Sequence, residues 1–237
     1  MDGVILAGGK GTRMRPLTLD KPKPLLELQG RPILAWSLLS LKGIVDHVLV
    51  VVSYLKEQIE QFMAGQDLIP AYTLVDQLPA PMGTGHALQC CQDRLRSDGF
   101  LVINGDDLYS RQALVRLARQ EFGILSMLRH DFDRFGVVVQ DQAGRLLRID
   151  EKPPRSRYRA PAHCSIGVYK FTARVFDYEL PISGRGEYEI SDYVGLAARD
   201  QAVTVVDSPF WLPIGDPAAL EAAQKVDIKR WIGPPSA

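Results

Sequence analysis

The stretch VILAGGKGTRMRPLT, from Val4 to Thr18, runs from apolar residues through three glycines into a group of basic residues. Such an apolar run is typical of a strand that is covered on both faces. Glycines let backbone N–H groups approach an anion closely and tolerate positive φ angles. Cations then neutralise the anion that those groups bind. The stretch therefore predicts a strand that ends in a phosphate-binding loop.

Strand-like and helix-like segments alternate from this strand onward. The predicted strands cover residues 3–8, 46–54, 71–77 and 99–107, and the predicted helices cover residues 31–43, 55–65 and 85–97. Alternating strands and helices pair in parallel through right-handed crossovers, and ligands of such sheets bind at the carboxyl ends of the strands. The glycine loop and the sequence NGDD, at residues 104–107, are both expected there.

The second half has a different pattern. Residues 134–153 are typical of a β-hairpin, residues 163–171 and 202–208 of strands, and residues 173–178, 186–200 and 217–226 of helices. Neither an internal repeat nor a linker is evident. We therefore expect a single domain over residues 1–237, with one lobe at about residues 1–130 and a second at about residues 131–237.

The composition narrows the range of partners. Of 237 residues, 46% are hydrophobic and the formal net charge is zero, so no overall field attracts nucleic acid or a membrane surface. The three cysteines show neither a disulfide framework nor a metal-binding spacing, which favours a reducing compartment. The first apolar run is too short for a signal peptide, and no segment reaches transmembrane length. These features predict a cytoplasmic protein that binds neither nucleic acid nor membranes.

Two common phosphate-binding motifs do not fit the glycine loop. A P-loop requires Gly-Lys followed by Ser or Thr, but Lys10 precedes Gly11 here. The dinucleotide motif GxGxxG begins at Gly9 and Gly11 and then meets Met14, and no acidic residue about twenty positions further on ends a second strand.

The loop and several later motifs resemble another family. The stretch LAGGKGTRMRPLT is followed in order by KPKPLL, GTGHAL, VINGDD, DEKP, SIGVYKF, GEYEISD and WLPIGDP. This order resembles the sugar-1-phosphate nucleotidyltransferases, also called nucleotide-sugar pyrophosphorylases. The resemblance implies a Rossmann-like α/β fold: a mixed, mostly parallel sheet with helices on both faces and a smaller sugar-binding lobe. It also implies Mg²⁺-dependent transfer of a nucleotidyl group from an NTP to a sugar 1-phosphate, with release of pyrophosphate.

The implied reaction depends on charge neutralisation, because the attacking phosphate oxygen is already anionic and needs no general base. By resemblance, Arg13 stabilises the leaving pyrophosphate, Lys23 faces the α-phosphate and Asp106 binds Mg²⁺. The resemblance assigns nucleotide binding to Leu6, Ala7, Gly8, Gly9, Gly11, Thr12, Gln77, Gly83 and Thr84, with Gln77 reading the base. It assigns sugar-phosphate binding to Gly136, Glu151, Lys152, Ser165 and Glu187.

The chain departs from the family pattern at two positions. Ser165 stands where the family often has Asn, which favours a plain hexose such as glucose. Pro213 stands where the family has a second metal-binding carboxylate, and Pro has no ligand to offer. Asp216 precedes Pro217 and is expected to cap a helix, while Asp107 is interpreted as a turn or capping residue. Asp106 is therefore expected to be the only protein carboxylate on the metal.

Several functions remain open at this point. UTP is the first choice of nucleotide and dTTP the second. A cytidylyl- or guanylyltransferase acting on another phosphorylated substrate has the same fold, and so does a non-catalytic regulatory module that binds nucleotides. Pro213 favours the module, whereas the charged residues Arg13, Lys23 and Asp106 favour the enzyme. The oligomeric state is open, and a homo-oligomer is compatible with the sequence.

Overall fold

A computed structural model describes residues 1–233. Its strands are β1 (Asp2–Leu6), β2 (Glu27–Leu28), β3 (Arg31–Pro32), β4 (His47–Val52), β5 (Tyr72–Asp76), β6 (Gly99–Asn104), β7 (Asp107–Tyr109), β8 (Phe122–Arg129), β9 (Gly136–Gln140), β10 (Leu146–Glu151), β11 (Ala162–Thr172), β12 (Val203–Asp207) and β13 (Trp211–Pro213). Its α-helices are α1 (Ile33–Leu41), α2 (Lys56–Ala64), α3 (Thr84–Gln89), α4 (Arg111–Ala118), α5 (Ile190–Ala197), α6 (Pro217–Ala223) and α7 (Lys229–Ile232).

Nine of these strands form one mixed sheet. Its main path runs β10-β9-β11-β6-β1-β4-β5, and β8 joins β11 to β12 at the side of this path. Strand β1 pairs in parallel with β4 and β6, and β4 pairs in parallel with β5. Strand β11 pairs antiparallel with β6, β8 and β9. The α/β fold with a mixed sheet is confirmed, and its parallel strands β1, β5 and β6 end at the same edge.

Helices cover both faces of the sheet because successive residues of each strand point to opposite sides. Ile5 packs in the cluster that holds Leu38 of α1, together with residues of α2 and α4. Its neighbour Val4 packs in a second cluster with Leu88 of α3 and Tyr193 of α5. Burying a side chain of this size stabilises a fold by about 1.5–3 kcal/mol. Burial of these strands therefore fixes the position of the sheet edge that carries the glycine loop.

A third cluster holds the glycine loop against the C-terminal helices. Met14 is fully buried with Trp36 of α1, Leu108 of β7 and Ile214. Residues of α6 and α7 complete this cluster. Met14 therefore anchors the loop from within the core while its neighbours Thr12 and Arg13 remain exposed.

Two predicted helices differ from the structure, and two observed elements had no predicted counterpart. The helix expected at residues 85–97 is the shorter α3, followed by a 3₁₀ turn at Gln92–Arg94. The helix expected at residues 173–178 is a 3₁₀ segment at Ala173–Asp177. Helix α4 and strand β8 occupy residues to which the sequence analysis assigned no element. Within residues 1–233, none of the helices combines the length and the apolar character needed to cross a membrane.

Candidate active site

The glycine loop after β1 has a fixed shape. Gly11 has a φ of 58°, which favours glycine. A Cβ atom at this position would lie 3.1 Å from both the Lys23 Cβ and the Thr18 Cγ2. The buried Thr18 hydroxyl donates a hydrogen bond of 2.8 Å to the Gly11 carbonyl oxygen. The loop is thus held close to the segment that carries Lys23.

Lys23 forms an ion pair at the carboxyl edge of the sheet. It begins a 3₁₀ turn directly after Pro22, and its side chain is 6% exposed. The Lys23 Nζ lies 2.6 Å from the Asp106 Oδ2. Asp106 follows β6, and its side chain is 37% exposed, so the carboxylate also faces open space. The structure therefore brings together a cation and a carboxylate that are 83 residues apart in sequence.

A cleft of about 490 Å³ lies over this pair. Every residue predicted to bind the nucleotide or to act in catalysis lines this cleft: Leu6, Ala7, Gly8, Gly9, Gly11, Thr12, Arg13, Lys23, Gln77, Gly83, Thr84 and Asp106. Of the residues predicted to bind the sugar phosphate, Glu187 lines it as well. The exposed cations Lys10 and Arg13 line it as well, and neither is ion-paired to an acidic side chain of residues 1–233. The cleft thus offers backbone and positive charge to an anionic ligand.

Gln77 stands at the end of β5 with its amide held in place. The Gln77 Nε2 donates to the Gly83 carbonyl oxygen at 2.9 Å and lies 3.3 Å from the Nδ1 of His86. The Gln77 backbone N–H donates to the Val52 carbonyl oxygen. The residue as a whole is only 7% exposed.

Helix α3 begins at Thr84, as the sequence predicted for this side of the cleft. Gly83 precedes it with a φ of 96°, and a Cβ there would lie 2.5 Å from the Tyr188 carbonyl oxygen. The Thr84 hydroxyl oxygen accepts a hydrogen bond from the Ile190 N–H at the start of α5. Thr84 therefore joins α3 to α5 as well as lining the cleft.

The other predicted sugar-binding residues lie beyond the lining of the cleft, on strands β9 to β11 or, for Lys152, directly after β10. Gly136 faces Glu151 across the β9–β10 pair, and a Cβ on Gly136 would lie 2.9 Å from the Glu151 Oε1. Burial raises the pKa of Glu151 above its usual range, although Lys152 opposes this shift. Lys152 is exposed with a φ of 41°. Ser165 lies in β11 opposite Ser126.

Asp107 was interpreted as a turn or capping residue, but in the structure it begins β7. Its side chain holds the segment around β13 in place. Its carboxylate accepts hydrogen bonds from the Trp211 Nε1 at 3.1 Å and from the Ile214 N–H at 3.2 Å. Pro213 pairs with Asp107 across β7 and β13. Burial, with the charge of Asp106 adding to it, raises the pKa of Asp107 to about 7. Asp107 thus serves the fold beside the site.

The chain is similar to known proteins over almost its whole length. A model of the nucleotidyl transferase family matches residues 2–230. The chain belongs to the nucleotidyl transferase family. A bifunctional protein GlmU from Methanocaldococcus jannaschii is 30% identical over 228 residues, which cover 95% of this chain and 54% of that protein. The UTP–glucose-1-phosphate uridylyltransferase AglF from Haloferax volcanii is 32% identical, over 95% of this chain and 96% of that protein.

The chain spans about half the length of the GlmU relatives it matches. A solved structure from Bacillus anthracis, described provisionally as a glucose-1-phosphate thymidylyltransferase, is 27% identical with a TM-score of 0.80 over 94% of both chains. A UDP-glucose pyrophosphorylase structure shares the fold with a TM-score of 0.83 at 18% identity, over 94% of this chain and 96% of that one.

Sequence reasoning missed Asn104 at this site. Asn104 ends β6 and lines the cleft. Its amide lies under Gly167, where a Cβ would approach the Asn104 Nδ2 to 2.2 Å. The signal was present in VINGDD, since Asn104 is the first polar residue after a buried strand that ends at the ligand edge. Lys10, Pro81 and Gly215 also line the cleft without having been predicted.

The donor atoms around Asp106 suit a metal that is completed by substrate. Within residues 1–233, no group of three or more His, Cys, Asp or Glu side chains is placed to hold a metal. Mg²⁺ commonly binds one or two carboxylates together with phosphate oxygens and water. Asp106 supplies one such carboxylate, whereas Asp107 is engaged by Trp211 and Pro213 has no ligand. The residues present therefore fit Mg²⁺ that arrives with a triphosphate.

Proposed function

We propose that this chain transfers a nucleotidyl group from an NTP to a sugar 1-phosphate and releases pyrophosphate, with UTP as first choice of nucleotide and dTTP as second. The observation that carries the proposal is the Lys23–Asp106 pair at the carboxyl edge of the sheet. It stands in one cleft with a glycine loop and the cations Lys10 and Arg13. The family match over residues 2–230 supports the reaction type, and the likeness to AglF supports a uridylyltransferase.

In the proposed reaction, an oxygen of the sugar phosphate forms a bond to the α-phosphorus of the NTP. The bond between that phosphorus and the bridging oxygen to the β-phosphate breaks, and its electron pair leaves with pyrophosphate. The nucleophile needs no general base, because the second pKa of a phosphate monoester is roughly 6. Catalysis then consists of alignment and charge stabilisation by the protein.

Three residues carry out this charge stabilisation. Lys23 holds the α-phosphate, since its ammonium is fixed near the end of β6 by Asp106. Arg13 binds the β- and γ-phosphates through its planar fork of donors and stabilises the leaving group. Asp106 would hold Mg²⁺ with phosphate oxygens and water, and the bound ion would supply further neutralisation of the triphosphate.

The sugar phosphate is proposed to lie towards strands β9 to β11, against Gly136, Glu151, Lys152 and Ser165. Residues 1–130 would form the nucleotide lobe and residues 131–237 the sugar lobe. The contact between the lobes supports this division: Glu187 lines the cleft, and the Tyr188 N–H and carbonyl bond to Met82 and Gly85 at the start of α3. The short Ser165 side chain favours glucose over an N-acetylhexosamine.

A pyrophosphate-release assay over four NTPs and a panel of sugar 1-phosphates tests this function. We expect release that requires both substrates and is fastest with UTP or dTTP and glucose 1-phosphate. Preference for CTP or GTP would support the transferases that act on other phosphorylated substrates. Binding of an NTP without release of pyrophosphate from any pair would instead show the non-catalytic module that Pro213 favours.

A further inference from the structure

The backbone carbonyl beside the Gln77 amide determines which way that amide points. A side-chain amide has one end that donates two hydrogen bonds and another that only accepts. The Gly83 carbonyl oxygen, 2.9 Å from the Gln77 Nε2, can only accept. A reversed amide would place two acceptor oxygens in contact there. The NH₂ group must therefore face Gly83.

The same amide fixes the protonation of His86. The His86 Nδ1 lies 3.3 Å from the NH₂ group of Gln77. Because that group donates, the Nδ1 must carry a lone pair and the ring proton must sit on Nε2. The His86 Nε2 lies 3.8 Å from the Cys90 Sγ, a weak acceptor that this proton can face.

The remaining polar atom of Gln77 is left for a ligand. Its Oε1 bonds to no group within residues 1–233, yet it is not among their fully enclosed, unpartnered polar atoms. A Cβ at position 8 would stand 3.4 Å from this oxygen, so Gly8 leaves it uncovered. The cleft therefore presents a carbonyl acceptor directly after the end of β5.

We propose that His86 is a positioning residue for base selection: it holds Gln77 so that the cleft presents an acceptor to the base. This inference rests on the proposed function, since it takes Gln77 to face the base of the NTP. An acceptor selects bases with a ring N–H at the pairing edge, which are uracil, thymine and guanine. Cytosine and adenine present a lone pair at that position and meet the Gln77 oxygen with repulsion.

Binding of UTP and CTP by isothermal titration calorimetry tests this role, because the two nucleotides differ only at the edge in question. We expect the wild-type protein to bind UTP more tightly than CTP. His86→Leu removes one acceptor and should reduce the ratio of the two affinities about two- to tenfold, the effect of one hydrogen bond. His86→Asn, whose Oδ1 can replace the Nδ1, should restore most of the ratio. Gln92→Ala, at an exposed position on the 3₁₀ turn after α3, is the control and should leave the ratio unchanged.

An unchanged ratio in His86→Leu overturns the role, and so does an equal loss in His86→Asn. If His86→Leu does not fold, His86→Met replaces it in the same comparison. A different result would contradict the proposed function. If UTP binds selectively but no pyrophosphate is released, the transferase activity is contradicted, whereas the role of His86 in base selection is not. Absence of UTP binding, or wild-type preference for CTP, overturns the role of His86.

Discussion

At the residue scale, Arg13 and Arg15 are both exposed cations of the glycine loop, but only Arg13 lines the cleft. We expect Arg13→Ala to lower kcat by about 10²–10³, the usual loss when one preorganised group that stabilises transition-state charge is removed. The free energy of unfolding should change by less than about 0.5 kcal/mol, since the side chain is exposed. Urea unfolding and steady-state kinetics measure both. Arg15→Ala is the matched control, and equal kcat values for Arg13→Ala and wild type contradict the role.

Asp106 is the second residue whose role is sharply testable. If it is the single protein carboxylate on the metal, the nucleotide-free protein should show no saturable Mg²⁺ binding at millimolar concentration. Mg²⁺ should bind when an NTP is present, and Asp106→Asn should abolish both this binding and turnover. Calorimetry with and without nucleotide measures the effect, with the exposed Asp20→Asn as control. Tight Mg²⁺ binding without nucleotide would mean that the protein supplies more ligands than Asp106.

The adjacent Asp107 shows the limit of sequence reasoning at this scale. Two neighbouring carboxylates in VINGDD cannot be told apart from composition. Only the fold brings Trp211 and Ile214, more than 100 residues away in sequence, onto one of them. The motif predicted the position of the candidate site. Tertiary contacts to Asp107 then leave Asp106 as the carboxylate that is available to a ligand.

At the element scale, buried strands were the most predictable feature. The apolar runs of β1, β4 and β6 are fully covered in the structure apart from their ends. The last residues of the helix expected at residues 85–97 have a tertiary role instead. The buried Asp2 accepts hydrogen bonds from the N–H groups of Arg96 and Ser97, so these groups serve the start of β1. The local pattern of hydrophobic residues cannot reveal an acceptor that lies so far away in sequence.

Helix α6 offers a test of an element-scale prediction that the structure confirms. Asp216 is its N-cap, and the Asp216 Oδ1 accepts a hydrogen bond from the Ala219 N–H at 2.8 Å. We expect Asp216→Ala to lower the free energy of unfolding by about 0.5–2 kcal/mol, and Asp216→Asn to cost much less because Asn also caps helices. Urea unfolding measures both variants, and kcat should be retained. Loss of turnover in folded Asp216→Asn would instead make Asp216 a ligand that replaces the one missing at Pro213.

At the scale of the whole molecule, strand β11 joins the two halves of the chain. This 11-residue strand pairs with β6, which ends shortly before Asp106, with β8 at the end of the first lobe, and with β9 of the second lobe. The parallel part of this sheet follows from alternating strands and helices. The long antiparallel β11 could be predicted as a strand, but its three partners could not, because pairing over such distances depends on the packed whole.

This arrangement predicts that the two halves act on different substrates. Lys152→Ala should raise the KM for the sugar 1-phosphate more than the KM for the NTP, because its cation is placed beyond the nucleotide-lined cleft. Steady-state kinetics with each substrate varied in turn measures the split. Arg145→Ala removes an exposed cation from the same hairpin and should leave both values near wild type. An effect confined to the NTP would place Lys152 with the nucleotide.

The most direct measurement follows the phosphorus atoms themselves. A ³¹P NMR time course of the protein with UTP, glucose 1-phosphate and Mg²⁺ records every substrate and product in one sample. The account predicts that the signals of UTP and of the sugar phosphomonoester fall together, while a sugar-linked diphosphate diester and pyrophosphate appear in equal amounts. Asp106→Asn should leave the spectrum unchanged. Release of inorganic phosphate with the sugar phosphate intact, or no change with any NTP and sugar 1-phosphate, would contradict nucleotidyl transfer by this cleft.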